Sequence, residues 1–220
     1  MSVRRLPRLT YCLAALCFAA PAYAGVDLPS GGKLETVDFE RHVMGLFTKS
    51  GCNNGSCHGS FQGKNGFRLS LFALEPDRDF AALTRDIQGR RIDVVQPDHS
   101  LLLQKAAGLI RHDGGARFSK DSWQYNVFRE WIKQGAPRTK GSGELVDIDI
   151  TPKEYVFVEA GKSVQMKVMA KFVDGTSEDI TPFCDFRVAD DAIARVSQLG
   201  STRPFSLPAR TLHGVISKPQ

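Results

Sequence analysis

The stretch Gly51-Cys52-Asn53-Asn54-Gly55-Ser56-Cys57-His58-Gly59 decides how this chain is read. A cysteine pair that closes in Cys-His is the arrangement by which c-type haem is attached. Each thiol adds to a haem vinyl group, and the adjacent histidine ligates the iron from below the ring. Four residues separate the cysteines here, where two are usual. The extra pair has to bulge out for both sulfurs to reach one ring edge, and Asn53, Asn54 and Gly55 tolerate left-handed or irregular backbone. Two other readings stay open on this spacing. Zinc normally takes four protein ligands, and no matching Cys/His pair follows. A plain Cys52–Cys57 disulfide suits an exported protein.

Helical patterns flank the motif. Val37 to Lys49 puts Phe39, Val43, Met44 and Phe47 on one side of a helix. Ser122 to Gln134 predicts a second, striped by Trp123, Val127, Phe128, Trp131 and Ile132. Asp121 can cap it with Gln124 three positions on, and Gly135 stands where it should end. Pro97 to Ala107 reads as a shorter helix and Phe67 to Phe72 as a short extended run. Trp123 and Trp131 read as packing rather than as an electron relay.

The other face of the iron needs a donor. Small c-type cytochromes often use a methionine from the loop before the last helix, but Met44 is the one methionine in residues 25–137 and it precedes the motif. The loop offers His112 instead, flanked by Asp113, Gly114 and Gly115. The expectation is therefore His58 as proximal and His112 as distal ligand, a pair that gives a lower potential than His/Met ligation. His112 as a surface-loop histidine, His99 or His42 in its place, and an open site are the alternatives. Lys64, Arg68, Arg90 and Arg91 could meet haem propionates by charge, against a default of solvated surface. No Ser/His/Asp arrangement, phosphate-cradling glycine loop or paired-carboxylate context supports a hydrolase.

Residues 1–24 read as an address. Arg4, Arg5 and Arg8 precede an apolar run from Tyr11 to Ala20, and Ala22-Tyr23-Ala24 is a small-x-small cleavage site, the pattern of a secretory signal peptide. An uncleaved N-terminal anchor is the competing reading. Cleavage would remove Cys12 and Cys17 and leave Cys52, Cys57 and Cys184, an odd number that no closed disulfide framework can use up. The formal charge of the chain is +5. Three of the 29 basic residues lie in 1–24 with no acid beside them, so 26 basic residues face 24 acidic ones in the remainder. That balance gives no case for nucleic acid. A hydrophobic content of 42% with 24% charged residues is ordinary globular composition and speaks against a disordered or membrane protein. No apolar run after residue 24 is long enough to span a bilayer.

The texture changes near residue 140. Pro137-Arg-Thr-Lys-Gly-Ser-Gly143 is polar and turn-rich, and 138–144 reads as a linker. Beyond it Val146, Ile148 and Ile150 alternate with polar residues, as do Val164, Met166 and Val168, and Ala170 with Phe172. Asp174-Gly175 marks a hairpin. Short alternating strands of this kind suggest a β-sandwich over 145–200, with Cys184 as a small apolar residue in a sheet.

Several separate motifs carry a resemblance. The first half is similar to the cytochrome c-like domains at the N-termini of exported planctomycete proteins. The matching pieces are Phe39-Glu-Arg-His-Val43, Ser50 to Gly59, Gly66-Phe-Arg-Leu-Ser-Leu-Phe72, Pro97-Asp-His-Ser-Leu-Leu-Leu103, His112-Asp-Gly-Gly115 and Trp131-Ile-Lys-Gln-Gly-Ala136. The second half resembles the group 2 bacterial Ig-like domain through Ile150-Thr-Pro152, Ala160-Gly161, Ala170 to Thr176, Asp179-Ile-Thr181 and Ala194-Arg-Val-Ser197 ahead of Gly200. Such a domain should continue past Gly200, whereas 201–220 carries three prolines and no sustained alternation. The expectation is an incomplete domain with an irregular tail.

Together these readings give a multi-domain protein. A mainly α cytochrome c-like domain over 25–137 is followed by an incomplete all-β Ig-like sandwich. The function expected is that of an exported, periplasmic or cell-surface c-type cytochrome carrying one haem c on Cys52, Cys57, His58 and His112. It would exchange electrons with redox partner proteins rather than act as an enzyme with its own substrate. The Ig-like module would offer a surface for cell-surface or polysaccharide components. A haem-free binding module, or the front of a larger oxidoreductase or polysaccharide-active protein, are the alternatives.

Overall fold

The computed structural model describes residues 25–157, 161–188, 190, 192–204 and 212–213. The expected signal segment 1–24 lies outside them, as do Ala160 of the Ig-like motif and residues 205–211 and 214–220 of the expected tail.

A ribbon of β1 (Val26–Asp27) and β2 (Lys33–Leu34) opens the described chain. A wide π-type turn, Phe39–Val43, then runs directly into α1 (Met44–Lys49). The Asp38 carboxylate starts this turn by accepting from the backbone N–H groups of Glu40 and Arg41, which are among the donors a helix start leaves unsatisfied. Phe39, Val43, Met44 and Phe47 are all buried. The apolar side read from the sequence is therefore present, although the single helix expected is split.

After the cysteine loop, Leu71–Ala73 coils into a 3-10 turn where an extended run was expected. Next come α2 (Pro76–Thr84), a 3-10 turn at Pro97–His99, α3 (Leu101–Ala106) and α4 (Trp123–Lys133). Ser122, not Asp121, caps α4, its hydroxyl accepting from the Tyr125 N–H. At the other end Gly135 N–H donates to Ile132 O and Ala136 N–H to Trp131 O, with Gly135 at φ +87°. This Schellman arrangement needs a left-handed residue, and glycine provides it without a Cβ clash.

The second half forms small sheets. β3 (Leu145–Thr151), β6 (Lys167–Phe172) and β7 (Ser177–Asp179) make one antiparallel sheet in the order β3-β6-β7. β4 (Glu154–Tyr155) pairs with β10 (Leu212–His213), while β5 (Val164–Gln165), β9 (Ser201–Pro204) and β8 (Ala194–Val196) form a third group in the order β5-β9-β8. The hairpin at Asp174-Gly175 joins β6 to β7, with Gly175 at φ +83°. A bulge between Leu145 and Asp147 interrupts the β3 register. It turns Val146 outward at 60% exposure and breaks the alternation read for Val146, Ile148 and Ile150.

The expected fold class is not what forms. The chain is 29% helical and 19% strand, so it is not mainly α, and the strands make separate small sheets rather than an all-β Ig sandwich. Turn residues explain the first departure, because Gly51 to Gly66, Gly89, Pro97 and Gly108 to Gly115 keep returning the chain to loops. Packing explains the second. Val168, Ala170, Phe172, Ile180, Phe183 and Cys184 join the same hydrophobic cluster as Phe39, Phe47, Phe128 and Trp131. Phe183 lies 5.7 Å from Trp123 and 5.5 Å from His42, ring to ring. Residues of the β3-β6-β7 sheet and of the helical half thus share one hydrophobic cluster.

Polar contacts hold the same seam. Arg41, with 8% of its side chain exposed, pairs with Asp174 at 2.5 Å and Glu178 at 2.6 Å and lies over the Phe172 ring. His42 Nε2 is 2.9 Å from Glu178, and Lys49 donates to the carbonyls of Cys184 and Gln198. Residues 138–144 are pinned as well: Arg138 pairs with Glu40 and Asp77, Gly141 N–H donates to Glu40, and Ser142 Oγ donates to Asp38. Among the described residues no helix is long and apolar enough to cross a membrane.

Candidate functional site

A cavity of about 760 Å3 opens beside the cysteine loop, within the size range of small-molecule and cofactor sites. Cys52, Cys57, His58 and His112 all line it. The structure therefore brings together the four residues singled out from the sequence. His99 is exposed and outside the lining, and His42 is buried at the seam with the β-sheet.

The loop that carries the cysteines is tightly wound. Cys52 N–H donates to Phe47 O, Cys57 N–H to Asn54 O, His58 N–H to Cys52 O and Gly59 N–H to Asn54 O. The extra pair does not simply bulge outward. Asn53 turns inward, 1% exposed, and donates to Thr48, while Asn54, Gly55 and Ser56 face solvent. None of Asn53, Asn54 and Gly55 takes a positive φ. The tightest point is Gly59, where an added Cβ would sit 1.8 Å from the Asn53 carbonyl oxygen.

Both imidazoles are oriented by backbone carbonyls. His58 Nδ1 lies 3.0 Å from Phe67 O, and His112 Nδ1 lies 2.8 Å from Gly115 O. A carbonyl oxygen only accepts, so each Nδ1 carries a proton, which leaves Nε2 as the nitrogen available to a metal whenever the ring is neutral. This tautomer is the one that metal-ligating histidines are held in by their outer partners. The two rings are 6.2 Å apart between centroids and within 7° of parallel. Burial, ahead of the neighbouring charges, pushes the His58 ring below its ordinary value despite the Phe67 hydrogen bond, which favours the neutral imidazole that a metal needs.

Cys52, Cys57 and Cys184 are free thiols. Burial pushes the Cys52 thiol up to about 12 and Cys184 up to about 11. Both are therefore protonated at neutral pH rather than poised as nucleophiles. Among the described residues no three His, Cys, Asp or Glu side chains gather at a metal-ligand cluster.

The walls divide by chemistry. Phe47, Phe67, Leu83, Ile87, Leu101, Leu102 and Ala106 are apolar, whereas Lys64, Arg90, Arg91, Lys105, Arg111 and Arg117 bring six cations against the single carboxylate of Asp113. Lys64, Arg90 and Arg91 were legible as charges near the motif. Arg68 is not part of the lining and lies over the Phe61 ring. Sequence reasoning missed Lys105, Arg111 and Arg117. Arg117 has a geometric role: its Nε donates to Ser50 O at 2.7 Å and its Nη1 to Gly114 O at 3.2 Å, stapling the cysteine loop to the His112 loop. Its 67-residue separation from Ser50 hides this from pattern reading.

Comparison with protein-family models and with curated proteins finds no match. The functional reading therefore stands on the residues themselves.

Proposed function

We propose that the chain is an exported single-haem electron-transfer protein, with Cys52 and Cys57 as the attachment thiols and His58 and His112 as the iron ligands. The observation that carries this reading is the convergence of the two thiols and the two Nδ1-tethered imidazoles on one cavity. The residues present fit the group on three counts. The donor set supplies two sulfurs beside one imidazole and a second imidazole whose ring centroid is 6.2 Å from the first. The apolar walls suit a flat macrocycle, and the six cations suit carboxylate arms. When bound, haem supplies a one-electron ferric/ferrous couple.

The chain's own residues do the rest. Phe67 and Gly115 fix the tautomers of His58 and His112, Arg117 holds their loops in register, and Phe47, Leu83 and Leu102 exclude water from the cavity floor. Electron exchange asks for no general acid or base. The protein's contribution is ligand identity, burial and local charge. The acceptor and donor are redox partner proteins that approach the cation-lined mouth. A redox titration of haem-matured protein tests the reading. One reversible one-electron wave per chain is expected; haem-loaded protein that cannot be cycled with dithionite and ferricyanide would contradict it.

A further inference from the structure

Arg91 lines the cavity, yet only 8% of it is exposed. Nη1 donates to Ala82 O at 2.6 Å and to Asp86 O at 3.4 Å, Nη2 donates to Gly66 O at 2.8 Å, and the guanidinium lies 4.7 Å from the Phe67 ring centroid. All of its side-chain hydrogen-bond partners are neutral carbonyls. The other well-buried guanidiniums of the described chain differ in this respect, since Arg41 meets Asp174 and Glu178, and Arg138 meets Glu40 and Asp77. Arg91 forms no contact ion pair among the described residues, and the carboxylate that acts on it through space is that of Asp86. A guanidinium does not shed its proton in a protein, and a buried charge without a contacting counter-ion is costly. Its position gives that charge a use. The Gly66-Phe67 segment that Arg91 grips through one carbonyl and one ring is the segment whose Phe67 carbonyl holds His58 Nδ1.

We infer that Arg91 is a positioning residue of the iron centre, and that its fixed charge, in direct contact with no carboxylate, raises the one-electron reduction potential of that centre. The inference rests on the haem reading above. Reduction adds one electron to the centre, supplied in vitro by dithionite, so the charge of the centre falls by one. A cation fixed nearby in a low-dielectric wall favours that lower-charge state over the oxidised one.

The test compares wild type, Arg91→Met and Arg91→Lys, each matured in a host that attaches c-type haem. Haem occupancy is measured first and the midpoint potential second. Arg91→Met removes the charge at similar volume. It is expected to retain haem and to shift the oxidised-to-reduced equilibrium about tenfold toward the oxidised form, a fall of about 59 mV for one electron. Arg91→Lys keeps the charge but loses the two-pronged grip, and its potential should stay within threefold of wild type. Occupied Arg91→Met with an unchanged potential would overturn the inference while leaving the haem reading intact. If Arg91→Met does not fold, Arg91→Lys decides: a tenfold fall there would show that geometry rather than charge sets the potential, and would overturn the inference as well. Wild type without haem would overturn both, and the occupancy measurement identifies that case before any potential is read.

Discussion

His58 and His112 present near-parallel imidazoles, 6.2 Å apart between centroids, across one cavity, each with its Nδ1 hydrogen-bonded to a backbone carbonyl. Both rings are held by backbone carbonyls at Nδ1, which leaves Nε2 of each as the nitrogen that can face a metal. This relationship makes the loop histidine as important to the account as the histidine of the cysteine motif.

Replacing His112 should accordingly remove one of the two residues that would hold the iron. Haem-loaded His112→Ala is expected to change from a low-spin to a high-spin absorption spectrum, bind carbon monoxide in the reduced state, and regain the low-spin spectrum on addition of imidazole. His99→Ala, on an exposed side chain outside the cavity, should leave the spectrum unchanged. A low-spin spectrum for haem-loaded His112→Ala would remove His112 from the ligand set.

The Cys52 thiol, pushed up to about 12 by burial, should resist alkylation in the haem-free protein. At pH 8 a thiol of that kind is about one ten-thousandth thiolate, and the thiolate is the reacting species. Iodoacetamide labelling followed by peptide mass mapping should find Cys52 protected in native protein and fully labelled in guanidinium chloride. Rapid native labelling of Cys52 would contradict the raised thiol pKa, since the residue itself is half-buried and lines the cavity.

Gly59 tests the winding of the cysteine loop. A methyl group there meets the Asn53 carbonyl oxygen at 1.8 Å, whereas nothing lies within 4 Å of the position at Gly55. Gly59→Ala should cost at least ~2 kcal/mol in stability, a size associated with steric and backbone mechanisms, and should reduce haem incorporation. Gly55→Ala should stay within about 0.5 kcal/mol of wild type. Thermal melts of the two variants in the same buffer provide the comparison.

The seam between the halves should be strong and sensitive to acid. Arg41→Ala leaves Glu178 partly buried without its guanidinium and is expected to cost about 3 kcal/mol, a drop of roughly 10 °C in Tm for a chain of this size. Arg111→Ala, at 93% side-chain exposure, should be near neutral. Burial pushes the Glu178 carboxyl up, but the hydrogen bonds and charges of His42 and Arg41 outweigh it and hold the group below its ordinary value of 4.5. Stability from this group is therefore fully present above about pH 4.5 and is lost as pH falls through the lower folded-state value. Melts between pH 7 and pH 3 should show that loss, and Glu178→Gln should flatten its share of the slope.

Local signals were legible where the physics is local. The apolar side through Phe39, Val43, Met44 and Phe47, the stripe of α4 and the Asp174-Gly175 hairpin all follow from spacing and turn chemistry, and all are present. The cysteine loop and His112 could be nominated because their residue types carry the chemistry. The fold class was not legible. A switch from helical to alternating period reports which face of a strand is apolar, but not what covers it. Phe172, Ile180 and Phe183 found their cover on the helical half, so two expected domains share one core. The Arg41–Glu178 and Arg117–Ser50 contacts join residues far apart in sequence, and no periodicity encodes them. At Asp121 and Ser122 two adjacent residues could each cap a helix, and the choice fell to Ser122. At Val146 one bulge reversed a side chain that simple alternation had placed inward.

The most direct test of the haem reading is a pyridine haemochrome spectrum recorded after acid–acetone extraction of protein matured in a host that attaches c-type haem. Haem that stays with the protein, at one per chain, and is lost to the solvent only when Cys52 and Cys57 are both replaced by serine is the predicted result. Protein that is colourless despite competent maturation, or haem that extracts freely from the wild type, would contradict the account.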